Sequence, residues 1–257
     1  MDLNLTGKVA VITGGTAGIG EACVLAFLQE GCKVAVCGRS QEKLERLQSN
    51  LKAQGYGILI YKANVAKQQE IQGFAQKVHE HYGKIDIWIN NAGIYHKAKL
   101  IEMSEDEWDT VIDSNLKSIF LGAQVAARHM RTGGGGVILN ASSYAAVIPS
   151  SGGGAYGASK AAVSNLTRTL AAELAPYNIR VNGYIPGVID TQMNEQRIAE
   201  QGAETRAQIA LNRVGAAKEV AAAIVFLASE AASYVTGTDL EISGGKFAVQ
   251  TPGDTWK

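Results

Sequence analysis

The chain has 257 residues, with 24 Lys and Arg set against 24 Asp and Glu. A balanced charge without a basic block or acidic tail excludes the electrostatic footprint of a nucleic-acid or anionic-membrane binder, and 46% hydrophobic residues suffice for one α/β core over residues 1–257. The sequence has no basic leader before an apolar run and no stretch of about 18 apolar residues, and Cys23, Cys32 and Cys37 are odd in number without C-x-x-C spacing, so a cytoplasmic, reduced protein is expected.

In chain order, Lys8 to Thr13 is a short apolar run of the kind a doubly covered parallel strand needs, and it breaks at Gly14 and Gly15. Residues 18–30 read as a helix, the run ending at Cys37 as a second strand, and Gln41 to Gln54 as a polar helix with Leu44, Leu47 and Leu51 on one side. I-L-I-Y gives a third strand, and I-D-I-W-I-N a fourth. Between them His79 and His81 lie on a polar helix without a thiol or carboxylate cluster, so no metal site is read. Ser104 opens a long helix, with Glu107 completing a capping box. V-I-L-N-A is strand five, the stretch from Ala155 is helical, Ile179 to Tyr184 is strand six, and Asp239 to Ile242 is the last strand. Gln192 to Leu211 and Ala216 to Ser229 are helical in composition, and Thr251 to Lys257 carries no clear signal. Strand and helix alternation of this kind means crossover connections and a parallel sheet.

Three pieces of chemistry stand on this frame. Gly14, Gly18 and Gly20, with Thr16 and Ile19 among them, form T-G-G-T-A-G-I-G between a strand and a helix, the context in which glycines let a backbone approach a pyrophosphate at a helix N-terminus. At the end of the second strand, where an NAD enzyme places a carboxylate for the ribose 2′-hydroxyl, the chain has Gly38, Arg39 and Ser40. A guanidinium there suits the 2′-phosphate of NADP(H), with Ser40 as a second donor; the plain alternative is a solvated arginine. Tyr156 and Lys160 stand four apart in a helical stretch, so phenol and ammonium share a face. A tyrosine that exchanges protons near neutrality needs its phenolate stabilised by roughly 2–3 pH units, and the lysine is expected to lower the phenol's pKa.

T-G-G-T-A-G-I-G, N-N-A-G, Asn115, Ser143, Tyr156-x-x-x-Lys160, Pro186-Gly187 and a terminal G-T-D-L-E-I-S-G-G occur in an order that resembles the short-chain dehydrogenase/reductase family from about Lys8 to Gly245. The resemblance implies a single-domain Rossmann fold, doubly wound, with a mostly seven-stranded parallel sheet and helices on both faces, and a substrate flap at about 188–212. It implies Tyr156 as general acid and base, Lys160 as its electrostatic partner and ribose ligand, Ser143 on the substrate oxygen, and Asn115 anchoring a water that links Lys160 to solvent. Spacing to the tyrosine selects Ser143 over Ser142. Asn64 and Val65, where the family usually has an aspartate, meet the adenine. Asn91, Ala92 and Gly93 meet the adenosine ribose, although the asparagines serve equally to brace strands. Pro186, Gly187, Val188 and Thr191 pass the nicotinamide.

Around these, Tyr95, His96, Tyr144, Ala145, Ile148 and Met193 are the expected substrate lining; His96 reads either as a hydrogen-bond donor or as a surface loop residue. Three functions fit: an NADP(H)-linked oxidoreductase of a small ketone, sugar, polyol or steroid; a 3-oxoacyl-(acyl-carrier-protein) reductase, for which Arg128 and Arg131 are the available basic residues; and a non-catalytic NADPH sensor. The expected partner is a small carbonyl or alcohol substrate, and the resemblance implies a homotetramer, for which Ala123, Ala126, Ala127, Ala161 and Ala162 offer small faces for close helix packing, although such alanines serve internal packing as well.

Overall fold

The computed structural model describes residues 3–256. The first half runs β1 (Val9–Thr13), α1 (Gly18–Gln29), β2 (Lys33–Gly38), α2 (Gln41–Ala53), β3 (Ile58–Lys62), α3 (Gln68–Tyr82) and β4 (Ile87–Asn90). Every residue of β1 and β4 is buried, which is why these strands read as unbroken apolar runs and not as alternating ones. In α2 the leucines 44, 47 and 51 face the core, and Ser40 caps the helix by accepting from the Lys43 amide.

The second half begins with α4 (Glu105–Ile112), whose capping box joins Ser104 and Glu107 reciprocally. The single long helix expected after Ser104 is interrupted by one π-helical turn, Asp113–Lys117, before α5 (Ser118–Gly133). Then follow β5 (Gly136–Ala141), α6 (Gly154–Leu174), β6 (Ile179–Pro186), β7 (Ile189–Asp190), α7 (Glu195–Ala207), β8 (Gly215–Ala216), α8 (Ala217–Ala228) and β9 (Asp239–Ile242). The expected flap is thus α7, kinked at Gln201 and framed by the two-stranded β7 and β8 ribbon.

Seven strands form one parallel sheet in the order β3-β2-β1-β4-β5-β6-β9. Strand order reverses between β1 and β4, and such a reversal opens a crevice at the carboxyl ends of the strands. One face of the sheet buries apolar residues against α1, α2 and α8, the other against α3, α5 and α6. Ala123, Ala126 and Ala127 belong to this second core and serve internal packing, the other use open to them, whereas Ala161 is exposed and Ala162 half-buried. The three cysteines are free and buried, their thiols pushed up to about 12, chiefly by desolvation.

The terminal segment also departs from expectation. Pro252–Trp256 forms a short 3-10 helix that folds back on the flap, with Pro252 buried and the Trp256 indole donating to the Ala210 carbonyl at 3.0 Å. No described helix is long and apolar enough to cross a membrane.

Candidate active site

The crevice is held open by polar bracing from β1, β4 and β6. Thr13 donates to the Ile89 carbonyl and accepts from the amides of Asn91 and Ala92. Asn91 donates to the carbonyls of Thr13 and Gly14, at 3.1 and 3.3 Å, and accepts from the Tyr184 hydroxyl. Asn90 accepts from the Trp88 indole and donates to Asn140, which in turn donates to Thr167. Of the two uses the sequence left open for N-N-A-G, bracing occupies both asparagine side chains.

Over this end lies the glycine loop. Gly14 and Gly18 have φ of +66° and +56°, where L side chains are strained, and a Cβ on Gly20 would lie 2.6 Å from the Asn91 side-chain nitrogen. The loop delivers the N-terminus of α1, which has no side-chain cap, unlike those of α2 and α4. An uncapped helix N-terminus of this kind leaves its first amides available to an anion such as a pyrophosphate. A Cβ on Gly18 would lie 3.2 Å from the Thr191 methyl, so the Pro186 to Thr191 segment faces the loop from the opposite wall. Thr16 approaches Gly38, and the next residue, Arg39, is exposed at the end of β2 with no carboxylate within ion-pairing distance among the described residues. A dinucleotide fits these features: glycines where a Cβ would intrude, an uncapped helix terminus for its pyrophosphate, and a free guanidinium at the ribose end. Asn64 turns its carbonyl oxygen to the Ala66 amide at 3.1 Å, and its own amide donates to Glu70 at 2.7 Å.

Asn115 sits in the π turn and is fully buried. It clamps Ile94 from both sides, accepting from its amide at 2.8 Å and donating to its carbonyl at 2.9 Å, and it also donates to Ser159, which donates to the Tyr156 carbonyl. The extra residue in the π turn lets an interior helix position turn its amide onto a neighbouring loop. Ser142 faces away, bonded to the Lys160 carbonyl and Ser164, while the Ser143 hydroxyl accepts from the Ala145 amide at 3.2 Å and lies close enough to Tyr156 to act on its pKa. Alternation at the end of a strand thus separates the two serines.

Lys160 is buried, donates to the Ala141 carbonyl at 2.7 Å and lies 5.6 Å from the centre of the Tyr156 ring. Desolvation lowers its pKa to about 8. The Tyr156 phenol is raised: burial outweighs the lowering influence of the nearby Ser143 hydroxyl, and Tyr144 and Tyr95 add to the rise. The expected lowering by Lys160 is therefore corrected. A phenolate here would lose its water, and the buried Lys160 ammonium, held on the Ala141 carbonyl, does not outweigh that loss.

Of the expected substrate lining, Tyr95 packs edge-on against Tyr156 with ring centres 5.3 Å apart, and Met193 and Ile148 are exposed. His96 is tied to Glu107 at 3.0 Å, which anchors it on the start of α4. Tyr144 accepts from Arg197 of α7 and lies against Phe247 and Lys246. Arg197, Lys246 and Phe247 were missed, because an arginine in a polar helix and a lysine after the last strand carry no sequence mark of their destination. Arg128 and Arg131 are not beside the site. They lie at the end of α5 that leads into the start of β5, opposite the crevice, and Arg131 stacks on Tyr177 at 4.1 Å.

The family model described as enoyl-(acyl carrier protein) reductase matches residues 14–246. The chain belongs to the short-chain dehydrogenase/reductase family. Among curated relatives within it, the 3-oxoacyl-(acyl-carrier-protein) reductase FabG of Thermotoga maritima is 42% identical over 244 residues, covering 95% of this chain and 99% of the relative. FabG of Escherichia coli is 34% identical over 247 residues, covering 96% and 100%. A short-chain type dehydrogenase/reductase from Mycobacterium marinum superposes with a TM-score of 0.92 at 35% identity, over 96% of this chain and 98% of that one. A putative gluconate dehydrogenase from Agrobacterium tumefaciens superposes with a TM-score of 0.94 at 29% identity, over 97% and 100%. As a short-chain dehydrogenase/reductase, the protein is an oxidoreductase of CH–OH and C=O groups that uses a nicotinamide cofactor.

Proposed function

We propose that the protein reduces a 3-oxoacyl thioester presented on a carrier, with NADPH as the coenzyme and the cytoplasm as its setting. One observation carries the chemistry: the Tyr156 ring lies with its centre 5.6 Å from the buried ammonium of Lys160, and Ser143 is close enough to act on its phenol. The end-to-end likeness to reductases named for this reaction supports this substrate class over the small ketone, sugar, polyol or steroid that the sequence also allows. Arg39 at the end of β2 supports the 2′-phosphate.

When bound, the cofactor supplies a hydride from its nicotinamide ring. The glycine loop and the α1 amides would hold its pyrophosphate, Arg39 and Ser40 the ribose phosphate, Asn64 and Val65 the adenine, and Val188 and Thr191 the carboxamide. Ser143 orients the substrate oxygen. Tyr156 gives that oxygen its phenolic proton as negative charge develops there, and Lys160 offsets the charge left on the phenolate. A raised phenol pKa keeps the proton available at neutral pH, which suits the reductive direction.

The test is NADPH oxidation with a carrier-linked 3-oxoacyl thioester, compared with free ketones and polyol-derived carbonyls. Turnover of the thioester at a kcat/KM well above that of any free ketone is expected. Reduction of free ketones alone would return the protein to the second reading, a small polar carbonyl substrate, which the polar lining at Tyr144 favours.

A further inference from the structure

Three segments remote in sequence meet at the mouth of the site. Tyr144 follows β5, Arg197 lies on α7, and Lys246 follows β9. Arg197 donates from its guanidinium to the Tyr144 hydroxyl, and the Lys246 ammonium lies 5.4 Å from the centre of the same ring. Lys246 is held by Gln208, whose side-chain oxygen accepts from it at 2.9 Å, and by its own amide, which donates to Ser243 at 3.1 Å. Both cations are half-buried, and among the described residues no carboxylate lies within ion-pairing distance of either.

Two cations converging on one tyrosine repel each other, and burial adds a solvation cost to each. Lys246 shows both effects: desolvation lowers its pKa, and the charge of Arg197 lowers it further. Such a pair is stabilised by an anion between or beside the two groups, and a guanidinium with one N–H on a phenol retains others for an oxyanion. The position also fits a substrate. Tyr144 and Tyr95 both lie close enough to Tyr156 to raise its pKa, and Tyr95 touches its ring.

We propose that Arg197 and Lys246 form an anion-binding subsite that selects substrates carrying a carboxylate or phosphate on the same molecule as the reducible carbonyl. The inference rests on the reading that Tyr156 acts on that carbonyl. Two sources supply the same chemistry: the carboxylate of a small keto acid, and the phosphodiester of a carrier's prosthetic arm.

The test uses matched pairs with the full-length protein and NADPH: an aliphatic keto acid against its methyl ester, and a carrier-linked 3-oxoacyl thioester against its N-acetylcysteamine counterpart, which lacks the phosphate. The wild type should prefer the anionic member of at least one pair. In Arg197→Gln and Lys246→Gln the ratio of kcat/KM, anionic over neutral, should fall by about tenfold or more, the loss of one charge-assisted hydrogen bond. Arg197→Lys should restore part of it. A latch that merely fastened the flap would change both members of a pair alike. Ratios that do not move in either pair overturn the proposal. If neither thioester turns over, the thioester reading fails while the acid and ester pair still tests the subsite; if no compound turns over, calorimetric titration of the acid and ester decides by the same ratio of affinities.

Discussion

Tyr156 and Lys160 leave their ordinary titration ranges in opposite senses, the phenol upward and the ammonium down to about 8. Reduction requires the proton on Tyr156 and the charge on Lys160. The first persists throughout the neutral range, whereas the second is lost as pH rises through about 8. The pH profile of kcat/KM for reduction should therefore be flat below that value and fall above it; a profile that rises through pH 8 would contradict the assignment. Tyr156→Phe should lower the rate by about 10²–10⁴-fold with nearly unchanged NADPH affinity, because the phenol acts on the substrate oxygen. Lys160→Ala should weaken rate and coenzyme binding together, and Ser143→Ala the rate alone, with initial rates and calorimetry separating the three. Arg39→Ala should raise the KM for NADPH about tenfold or more and leave that for NADH nearly unchanged, since only the phosphate meets the guanidinium.

At the scale of elements, α4 shows how local sequence sets the site's edge. Glu107 caps the helix through Ser104 and also holds His96, and these hydrogen bonds keep its carboxyl below the usual range, those from Ser104 most. Ser104→Ala should cost about 1 kcal/mol, which for a chain of this size lowers Tm by roughly 2–4 °C in scanning calorimetry. This cap was legible in the sequence, as were the strands, because burial on both faces leaves continuous apolar runs. The glycine turn and the shared face of Tyr156 and Lys160 were legible for the same local reason. The π turn at Asn115 was not, since W-D-T-V-I-D-S-N-L-K-S-I-F keeps helical spacing and the extra residue is specified by the long-range clamp on Ile94. Nor was the terminal helix, whose anchors, the buried Pro252 and Trp256 on Ala210, depend on where the flap already lies. The downward shift expected for Tyr156 failed because charge spacing is visible in a sequence and desolvation is not.

For the whole molecule, the family expectation of a tetramer is carried by surfaces other than the buried alanines. Phe120 on α5 and Phe226 on α8 are exposed, Ala161 is exposed on α6, and β9 ends the sheet with an unpaired edge. Static light scattering at micromolar concentration should give four times the mass of the 27.1 kDa chain, and a monomer would refute this. Cys23, Cys32 and Cys37 turn the same molecule into its own stopwatch. All three thiols are buried within one strand and helix unit of the cofactor half, protonated and shielded, so iodoacetamide reaches them only when that half opens. The rate of alkylation followed by mass spectrometry then counts opening events, and NADPH at a hundred times its Kd should slow the count about a hundredfold if the opening releases coenzyme.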